Sequence, residues 1–285
     1  MPGTLYVVAT PIGNLEDVTL RALRVLQEVT LIAAEDTRRT ARLLQHYSIS
    51  TSTTSLHEHN EQARTPVLIG RLLAGDSIAI VSDAGTPVIS DPGSRLVAEA
   101  HRQSIRVEPI PGPSAVVAAV SATGFTGDGF LFAGFPPFRS NARKKWLMEF
   151  SEVKRPVVLF EAPHRILATL EDIAAVLGDR EVAIGRELTK KHENLAVSPI
   201  SEWLKVPPAE RGEFTLVIGP AQASPKAESF APPDSQLAID FGHLTEIDGM
   251  QRRQALRTLA ERYGLTNREV FAALDRHKNL VDRQN

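Results

Sequence analysis

The 285-residue sequence lacks several features that mark common protein classes. It has no cysteine, which excludes disulfides, thiolate zinc sites and cysteine nucleophiles. No apolar run reaches ~18 residues, so no membrane-spanning helix is expected. Residues 1–9 show no basic stretch followed by an apolar one, so no secretory signal is predicted. Together these absences favour a cytoplasmic protein.

Sequence motifs of several enzyme classes are also missing. There is no G-x-x-x-x-G-K-[ST], which disfavours a Walker-type ATPase, and no G-x-G-x-x-G, the usual dinucleotide fingerprint. There is no G-x-S-x-G, which disfavours a serine hydrolase. The histidines show no H-E-x-x-H or other helical ligand spacing, so we predict no metal site.

The small net charge of -2 conceals an asymmetry along the chain. Residues 250–285 contain eight Lys or Arg and four Asp or Glu, so this end carries +4 and the remainder -6. A basic end on an acidic body is typical of a segment that contacts an anionic partner. A solvated helix surface would give the same charge pattern.

Short apolar runs alternate with amphipathic segments over most of the chain. Several runs are nearly continuous in Val, Ile and Leu, which is typical of strands covered on both faces. Alternating strands and helices predict an α/β fold. The predicted strands are residues 5–9, 31–34, 78–82, 107–110, 157–161, 182–185 and 214–218. The predicted helices are residues 19–27, 94–102, 114–120 and 167–177.

Breaker-rich segments divide the chain into predicted domains. A loop at residues 123–129 separates an N-terminal α/β domain, residues 1–122, from a second one, residues 123–220. A Pro-, Ala- and Ser-rich linker follows at residues 221–235. Residues 236–285 are predicted as a helical, helix-turn-helix-like module, with Gly264 ending one helix and a Thr266/Glu269 capping box beginning the next.

Three Gly- and Pro-rich loops, at residues 9–15, 82–93 and 111–115, follow predicted strands. Ligands of open α/β sheets bind beyond the carboxyl ends of strands, where such loops lie. The loops contain no Lys or Arg, so they suit a ligand with little phosphate, such as a nucleoside. Asp83 and Asp91 would favour a cationic ligand, although each could instead cap the following helix.

Four further segments combine residues whose side chains could bind a ligand or take part in a reaction. Residues 34–40 (AEDTRRT) place acids, bases and hydroxyls at a strand end. They could be a site, or the acid could cap a helix whose exposed first turn is TRRT. Residues 160–165 (FEAPHR) and 185–193 (GRELTKKHE) also mix acids and bases, and each could be a site or an ordinary ion-pair network. Residues 135–146 (FPPFRSNARKKW) interleave aromatic and basic residues. That pattern suits stacked bases and a phosphate backbone, and it suits a surface helix equally well.

The loop sequences in this order resemble one known family. They are ATPIGNL (residues 9–15), AEDTR (34–38), VSDAGTPVISDP (81–92), PGPSA (111–115) and RELTK (186–190). Together they are similar to the bacterial 16S ribosomal RNA 2'-O-ribose methyltransferase I family, in the tetrapyrrole-methylase-like class of S-adenosylmethionine enzymes. VSDAGTP and AEDTR carry most of the specificity, whereas PGPSA also fits relatives that methylate precorrins or diphthine precursors.

The resemblance implies two α/β domains of the tetrapyrrole methylase type with the methyl-donor cleft between them, in a protein that is typically a homodimer. The implied cofactor is S-adenosyl-L-methionine, and the implied target is a cytidine ribose of 16S rRNA in the decoding centre. The substrate would be the naked RNA or the assembled 30S subunit.

The resemblance also implies which residues form the site, and the charge of the loops adds one further residue to the donor pocket. The donor pocket is expected to include Pro11, Gly85, Thr86, Pro87, Ile89, Ser114, Ala115, Ala162 and Leu188, with Asp83 added because it favours a cation. The candidate bases are Glu35, Asp36 and Glu187, with Arg38 and Lys190 placing the substrate phosphate.

Two other functions remain open from the sequence alone. One is methylation of a small tetrapyrrole or a protein residue by the same fold, for which a basic helical tail would be unnecessary. The other is a non-enzymatic nucleic-acid-binding regulator with a ligand-sensing body, for which the several ionisable groups near the loops are more than sensing requires.

Overall fold

A computed structural model of the protein describes residues 1–125, 127–221, 232–263 and 265–281. The chain divides into two compact units, Met1–Ala221 and Gln222–Asn285. Among the described residues, no helix has the length and apolar character needed to cross a membrane.

The first half of unit Met1–Ala221 is built on a five-stranded sheet. All its strand pairs are parallel, in the order β3-β2-β4-β1-β5. The strands are β1 (Thr4–Val8), β2 (Leu31–Ala34), β3 (Thr53–Ser55), β4 (Ile78–Val81) and β5 (Arg106–Ile110). Every residue of β2 and β4 is buried, as their continuous apolar sequences predict for strands covered on both faces.

Five helices accompany this sheet, and side-chain caps explain where two of the predicted ones begin. The helices are α1 (Leu20–Glu28), α2 (Thr37–His46), α3 (Glu61–Leu73), α4 (Ser94–Arg102) and α5 (Ala115–Ser121). The Thr19 side chain accepts a hydrogen bond from the Ala22 amide before α1, and Ser114 does the same for the Val117 amide before α5.

A second five-stranded sheet follows, in the order β6-β7-β10-β8-β9. Its strands are β6 (Leu131–Phe132), β7 (Val157–Glu161), β8 (Glu181–Arg186), β9 (Asn194–Pro199) and β10 (Phe214–Ile218). Only the β6–β7 pair is parallel. Its helices are α6 (Ser140–Met148), α7 (Ile166–Leu177) and α8 (Ile200–Lys205). The two sheets with their helices confirm the predicted α/β class.

Several elements have no counterpart among the predicted ones. The strands β3, β6 and β9 lie at sheet edges, where a strand needs no continuous apolar sequence because one side or face meets solvent. Helix α2 is strongly polar in sequence, and α3 contains Pro66, which obscured its helical pattern. The amphipathic pattern of α2 is nevertheless present in the sequence, since Thr40, Leu43 and Leu44 form its buried face.

The proposed domain boundaries remain predictions. The strands of the first sheet end by Ile110 and those of the second begin at Leu131, and the predicted division at residues 122/123 falls between them. Most of the predicted linker, residues 222–231, lies outside the described residues, as does Gly264.

The second unit consists of helices. Helix α9 (Asp234–Gly242) continues into a π-helical turn at His243–Ile247, and α10 (Arg252–Tyr263) and α11 (Asn267–Val281) follow. Their core contains Leu244, Ala255, Leu259, Ala260 and Val270. The predicted capping box is confirmed, since the Thr266 amide donates to Glu269 Oε2 at 2.7 Å and the Glu269 amide donates to Thr266 Oγ1 at 3.2 Å.

Candidate active site

The loops after β1, β4 and β5 meet because parallel neighbouring strands all end at one edge of the first sheet. Thr10 and Gly85 exchange two backbone hydrogen bonds of 2.8 and 3.0 Å. The Thr86 hydroxyl donates to the Pro113 carbonyl at 3.4 Å. Gly85 has φ +82°, a left-handed conformation that glycine adopts without steric cost.

At one edge of the second sheet, two strands end and a third strand begins. In the register of its antiparallel pairs, Phe214 at the start of β10 lies opposite Glu161 at the end of β7 and Arg186 at the end of β8. The two halves of the unit are linked here, since the Asn14 amide donates to Thr189 Oγ1 at 3.0 Å.

A cavity of about 480 Å³ lies between these two edges. The first half contributes Ile12, Glu35, Arg39, Asp83, Ala84, Gly85, Thr86, Ile89, Ser90, Asp91, Ser114, Ala115 and Val116. The second half contributes Phe135, Phe160, Glu161, Ala162, Pro163, Leu188, Glu213, Phe214 and Thr215. Its volume is in the usual range for small-molecule sites.

Nine of the predicted site residues line this cavity: Glu35, Asp83, Gly85, Thr86, Ile89, Ser114, Ala115, Ala162 and Leu188. Pro11 and Lys190 instead line a neighbouring cavity of about 420 Å³ that shares Arg39, Asp83 and Glu213 with the first. Pro87, Asp36, Arg38 and Glu187 line neither.

Negative charge predominates in the cavity. Five carboxyl side chains line it: Glu35, Asp83, Asp91, Glu161 and Glu213. Among the lining residues the only cationic side chain is Arg39, whose guanidinium is 3.3 Å from Asp83. The remaining walls are largely aliphatic and aromatic, so the cavity suits a ligand with an apolar body and positive charge.

Glu35 and Asp36 have different environments although they are adjacent. Glu35 lines the cavity and accepts a 3.1 Å hydrogen bond from the Asp83 amide. Asp36 is the N-cap of α2 and pairs with Arg38 at 2.8 Å. The hydrogen bonds from Arg38 hold the pKa of Asp36 well below its usual range. The possibility that this acid caps a helix is therefore confirmed for Asp36.

Glu187 and Lys190 are tied to each other outside the main cavity. The Lys190 ammonium is 2.9 Å from Glu187 and 2.8 Å from Glu213. The hydrogen bond from Lys190 lowers the pKa of the Glu187 carboxyl, and the Glu213 amide donates to it as well. Both lysine and glutamate are thus largely satisfied by neighbours.

Asp91 faces the cavity and does not cap α4. The N-cap of α4 is Gly93, with φ +118° and no side-chain hydrogen bond, so the capping alternative for Asp91 is wrong. Burial, opposed by a Ser82 hydrogen bond and assisted by the negative charges of Glu35 and Asp83, raises the pKa of Asp91 to about 6.

Backbone strain is concentrated in two loops of this site. Val88 and Ser90 have φ +73° and +65°, and Glu187 and Thr189 have φ +53° and +67°. A β-branched residue such as Val88 is especially unfavourable in this region. Such strain persists only where surrounding structure enforces it, and it clusters at functional sites.

Some lining residues gave little or no signal in the sequence. Asp91 is in a recognised loop but was compatible with a cap, and Phe135 belongs to the aromatic and basic segment. Phe135 contacts Phe160, with ring centroids 5.4 Å apart. Glu213 and Thr215 sit at the start of a strand, where no motif marks them; only the antiparallel pairing brings them to the cavity.

Within the described residues, no group of three or more His, Asp or Glu side chains is arranged to hold a metal ion. The absence of a metal in the function remains a prediction from the sequence.

Comparison with known proteins identifies the relatives of this chain. Residues 4–204 match the family model for tetrapyrrole (corrin/porphyrin) methylases. The chain is 50% identical over 219 residues to ribosomal RNA small subunit methyltransferase I of Vibrio cholerae, covering 75% of this chain and 76% of that protein. It is 45% identical over 275 residues to the Synechocystis protein of the same name, covering 94% and 96% of the two chains.

A solved structure supports the fold. Uroporphyrin-III C-methyl transferase from Thermus thermophilus, complexed with S-adenyl homocysteine, superposes with a TM-score of 0.55 at 18% identity. The match covers 76% of this chain and 97% of that chain. The expected tetrapyrrole methylase architecture is thereby confirmed.

Proposed function

Because this chain belongs to the tetrapyrrole (corrin/porphyrin) methylases, and within them to the ribosomal RNA small subunit methyltransferase I family, we propose that it 2'-O-methylates a cytidine ribose of 16S rRNA. It is an S-adenosylmethionine-dependent methyltransferase. The observation that carries the proposal is the acidic, apolar-walled cavity at the meeting edges of the two sheets, in a chain whose relatives are named for ribosomal RNA methylation.

The cavity residues fit S-adenosylmethionine. Its adenosine suits the apolar walls, including Ile89, Phe160 and Leu188, and its sulfonium and ammonium charges suit the carboxylate majority. Gly85 has no side chain, so the backbone of its loop can approach a ligand closely. A phosphate-rich ligand would meet repulsion here, because the one lining cation, Arg39, already pairs with Asp83.

When bound, S-adenosylmethionine supplies an electrophilic methyl group on a good leaving group. The protein's own contribution is to orient the acceptor hydroxyl and to exclude water from it. A ribose hydroxyl is a weak nucleophile, so a carboxylate that takes up its proton assists the reaction.

The three candidate bases are not equally suited to that role. Glu35 lines the cavity, whereas Asp36 and Glu187 lie outside its lining and have lowered pKa values that weaken them as bases. Of these three, only Glu35 therefore has its carboxyl group at the cavity. We assign to Arg38 and Lys190 the binding of the substrate phosphate. In that role, each side chain would leave its carboxylate partner and pair with the RNA.

The RNA contact surface that we propose is the segment of residues 135–145 that runs from the cavity wall to the solvent. Phe135 lines the cavity, and Phe138 is 76% exposed with the Arg165 guanidinium 5.5 Å from its ring centroid. Arg139 and Lys145 of the same segment are also exposed. Exposed rings next to cations suit bases and phosphates of a single strand.

One cation of this segment cannot serve RNA. Arg143 is buried and its guanidinium is 2.6 Å from Asp172, with further hydrogen bonds to the carbonyls of Pro137 and Phe138. Arg143 therefore anchors α6 and is not part of the proposed RNA contact surface. The arginines of the second unit, including Arg253, Arg262 and Arg268, are exposed and supply a separate cationic surface.

The proposal includes a cytoplasmic homodimer that acts on 16S rRNA or the 30S subunit. Its support is the family membership, in a chain whose described helices include none able to span a membrane. Methylation of a small molecule or of a protein remains the competing function, and the same experiment separates it from RNA methylation.

The test is transfer of tritiated methyl groups from S-adenosylmethionine to 30S subunits and to protein-free 16S RNA, both from a strain lacking the modification. We expect label at one cytidine ribose, mapped by primer extension at low dNTP concentration. Donor binding without labelled RNA would point to a tetrapyrrole or protein substrate.

A further inference from the structure

Asp91 and Glu35 differ from the other three carboxylates around the cavity, because the described residues give neither of them a cationic partner. Asp83 faces Arg39, Glu161 faces Arg165, and Glu213 faces Lys190. Asp91 accepts a hydrogen bond from the Ser82 side chain, and its described environment adds only the negative charges of Glu35 and Asp83. A carboxylate in this setting is free to accept a proton.

We propose that Asp91 accepts the proton of the target hydroxyl during methyl transfer, an assignment that rests on the function proposed above. Asp91 lines the cavity, as a proton acceptor for a reaction there must. The strained residues Val88 and Ser90 lie just before it in the same loop, whose unfavourable conformation persists only because the surrounding structure enforces it.

Glu35 is less free than Asp91 to act in this way. One Glu35 carboxylate oxygen accepts the Asp83 amide hydrogen bond, so Glu35 connects the loops after β2 and β4. Its negative charge also favours protonation of Asp91. The charged groups that face Asp91 in the cavity are thus Glu35 and Asp83, and Arg39 is held by Asp83. The lining carboxylates Glu161 and Glu213 come from the second half of the unit.

The protonation chemistry of Asp91 suits a base near neutral pH. With a pKa of about 6, its carboxyl group is largely ionised at pH 7.5 yet is far more basic than an ordinary aspartate. In the proposed step the hydroxyl O–H bond breaks and its proton passes to an Asp91 oxygen. The electron pair left on the ribose oxygen forms the new bond to carbon, and the donor sulfur keeps the pair of the bond that breaks. The Asp91 acid then releases its proton to water.

The experiment measures single-turnover methyl transfer to the unmodified RNA substrate between pH 5 and 8.5, together with the dissociation constant of S-adenosylmethionine by calorimetry. The variants are Asp91→Asn, Asp91→Glu and Asp91→Ala, the last with and without formate. The matched control is Asp76→Asn, because Asp76 precedes β4 at the opposite edge of the same sheet and pairs with Arg71.

We expect Asp91→Asn to lower the transfer rate constant at pH 7.5 by about 100-fold or more, with the donor dissociation constant changed by less than about threefold. The wild-type rate should rise with pH through about 6, and Asp91→Asn should lose that dependence. Asp91→Glu should retain part of the rate, formate should restore part of the rate of Asp91→Ala, and Asp76→Asn should match wild type.

Three results would overturn the assignment. One is an unchanged rate in Asp91→Asn. A second is a loss explained wholly by weaker donor binding, which would make Asp91 a contact of the donor cation. The third is loss in all three variants without formate rescue, which indicates a structural role. If the wild-type protein labels no RNA at all, the proposed function itself fails, and the Asp91 assignment fails with it.

Discussion

The two sheets contribute to the same cavity in different ways. The first sheet is entirely parallel, and its contribution comes from loops that follow strands and carry recognisable Gly- and Pro-rich sequences. The second sheet is mostly antiparallel, so the start of β10 joins the ends of β7 and β8. The site residues that the parallel sheet contributes can therefore be recognised from sequence motifs. Antiparallel pairing brings in residues such as Glu213, which no sequence motif marks.

The carboxylates of the two sheets also differ in environment. Glu161, from the second sheet, has a buried side chain that binds the Thr169 hydroxyl and lies 3.3 Å from Arg165. Asp91, from the first sheet, is half-buried and has no ion-pair partner within the described residues. We expect Glu161 to serve the fold, whereas Asp91 is available for the reaction proposed above.

The largest expected effect is on stability and tests the structural role of Glu161. Glu161→Ala should lower the free energy of unfolding by about 3 to 5 kcal/mol, because it leaves Arg165 without its buried partner. Urea denaturation measures this change. The control Glu213→Ala, at a side chain that is 72% exposed, should change stability little. Equal losses in the two variants would contradict the distinction.

The next largest expected effect is on RNA binding by the second half of unit Met1–Ala221. Phe138→Ala should weaken binding of the rRNA substrate by about 1 to 3 kcal/mol, at least fivefold, because an exposed stacking ring is lost. Filter binding measures the RNA affinity, and donor affinity should not change. Met148→Ala, at another exposed apolar residue, is the control.

RNA binding should also weaken steeply as salt is raised, through the exposed cations near Phe138 and those of the second unit. A flat salt profile, or equal losses in Phe138→Ala and Met148→Ala, would remove this surface from the RNA interface. If Phe138→Ala changes the oligomeric state instead, the exposed ring contacts a second copy of the chain.

A smaller effect should appear in donor binding at the first sheet. Glu35→Gln should weaken S-adenosylmethionine binding about tenfold while affecting S-adenosylhomocysteine less, because only the former carries the sulfonium charge. Calorimetry with both ligands measures the difference. The same substitution at Glu213, which is already paired with Lys190, should have less effect. Equal weakening of both ligands by Glu35→Gln would indicate a structural role for Glu35.

The smallest expected effect is on the stability of the folded protein, which is lowered when Asp91 is ionised. A carboxyl pKa raised to about 6 means that the folded protein loses stability as pH rises from about 4 through 6, since the native state holds the proton more tightly. Asp91→Asn should therefore raise Tm at pH 7.5 by about 2 °C. The difference should disappear below about pH 4, where the wild-type group is protonated in both states. A lower Tm for Asp91→Asn at pH 7.5 would contradict this expectation.

The sequence alone determined most of the parallel half of the site. Buried parallel strands require continuous apolar runs, and their loops meet at one edge, so a ligand cleft could be expected at these loops. The resemblance to a known family then assigned residues such as Gly85, Thr86, Ser114 and Ala115 to it. The capping box at Thr266 and the α/β class followed from equally local rules.

Only the tertiary structure decided how each charge is used. Sequence placed Glu35, Asp36 and Asp91 near strand ends, but whether each caps a helix, pairs with a cation or faces the cavity depends on partners far along the chain. Asp36 caps α2, Glu187 and Lys190 satisfy each other, and Arg143 is buried against Asp172. Antiparallel pairing likewise brought Glu213 to the cavity wall. Such assignments depend on long-range contacts and burial, which no short sequence pattern encodes.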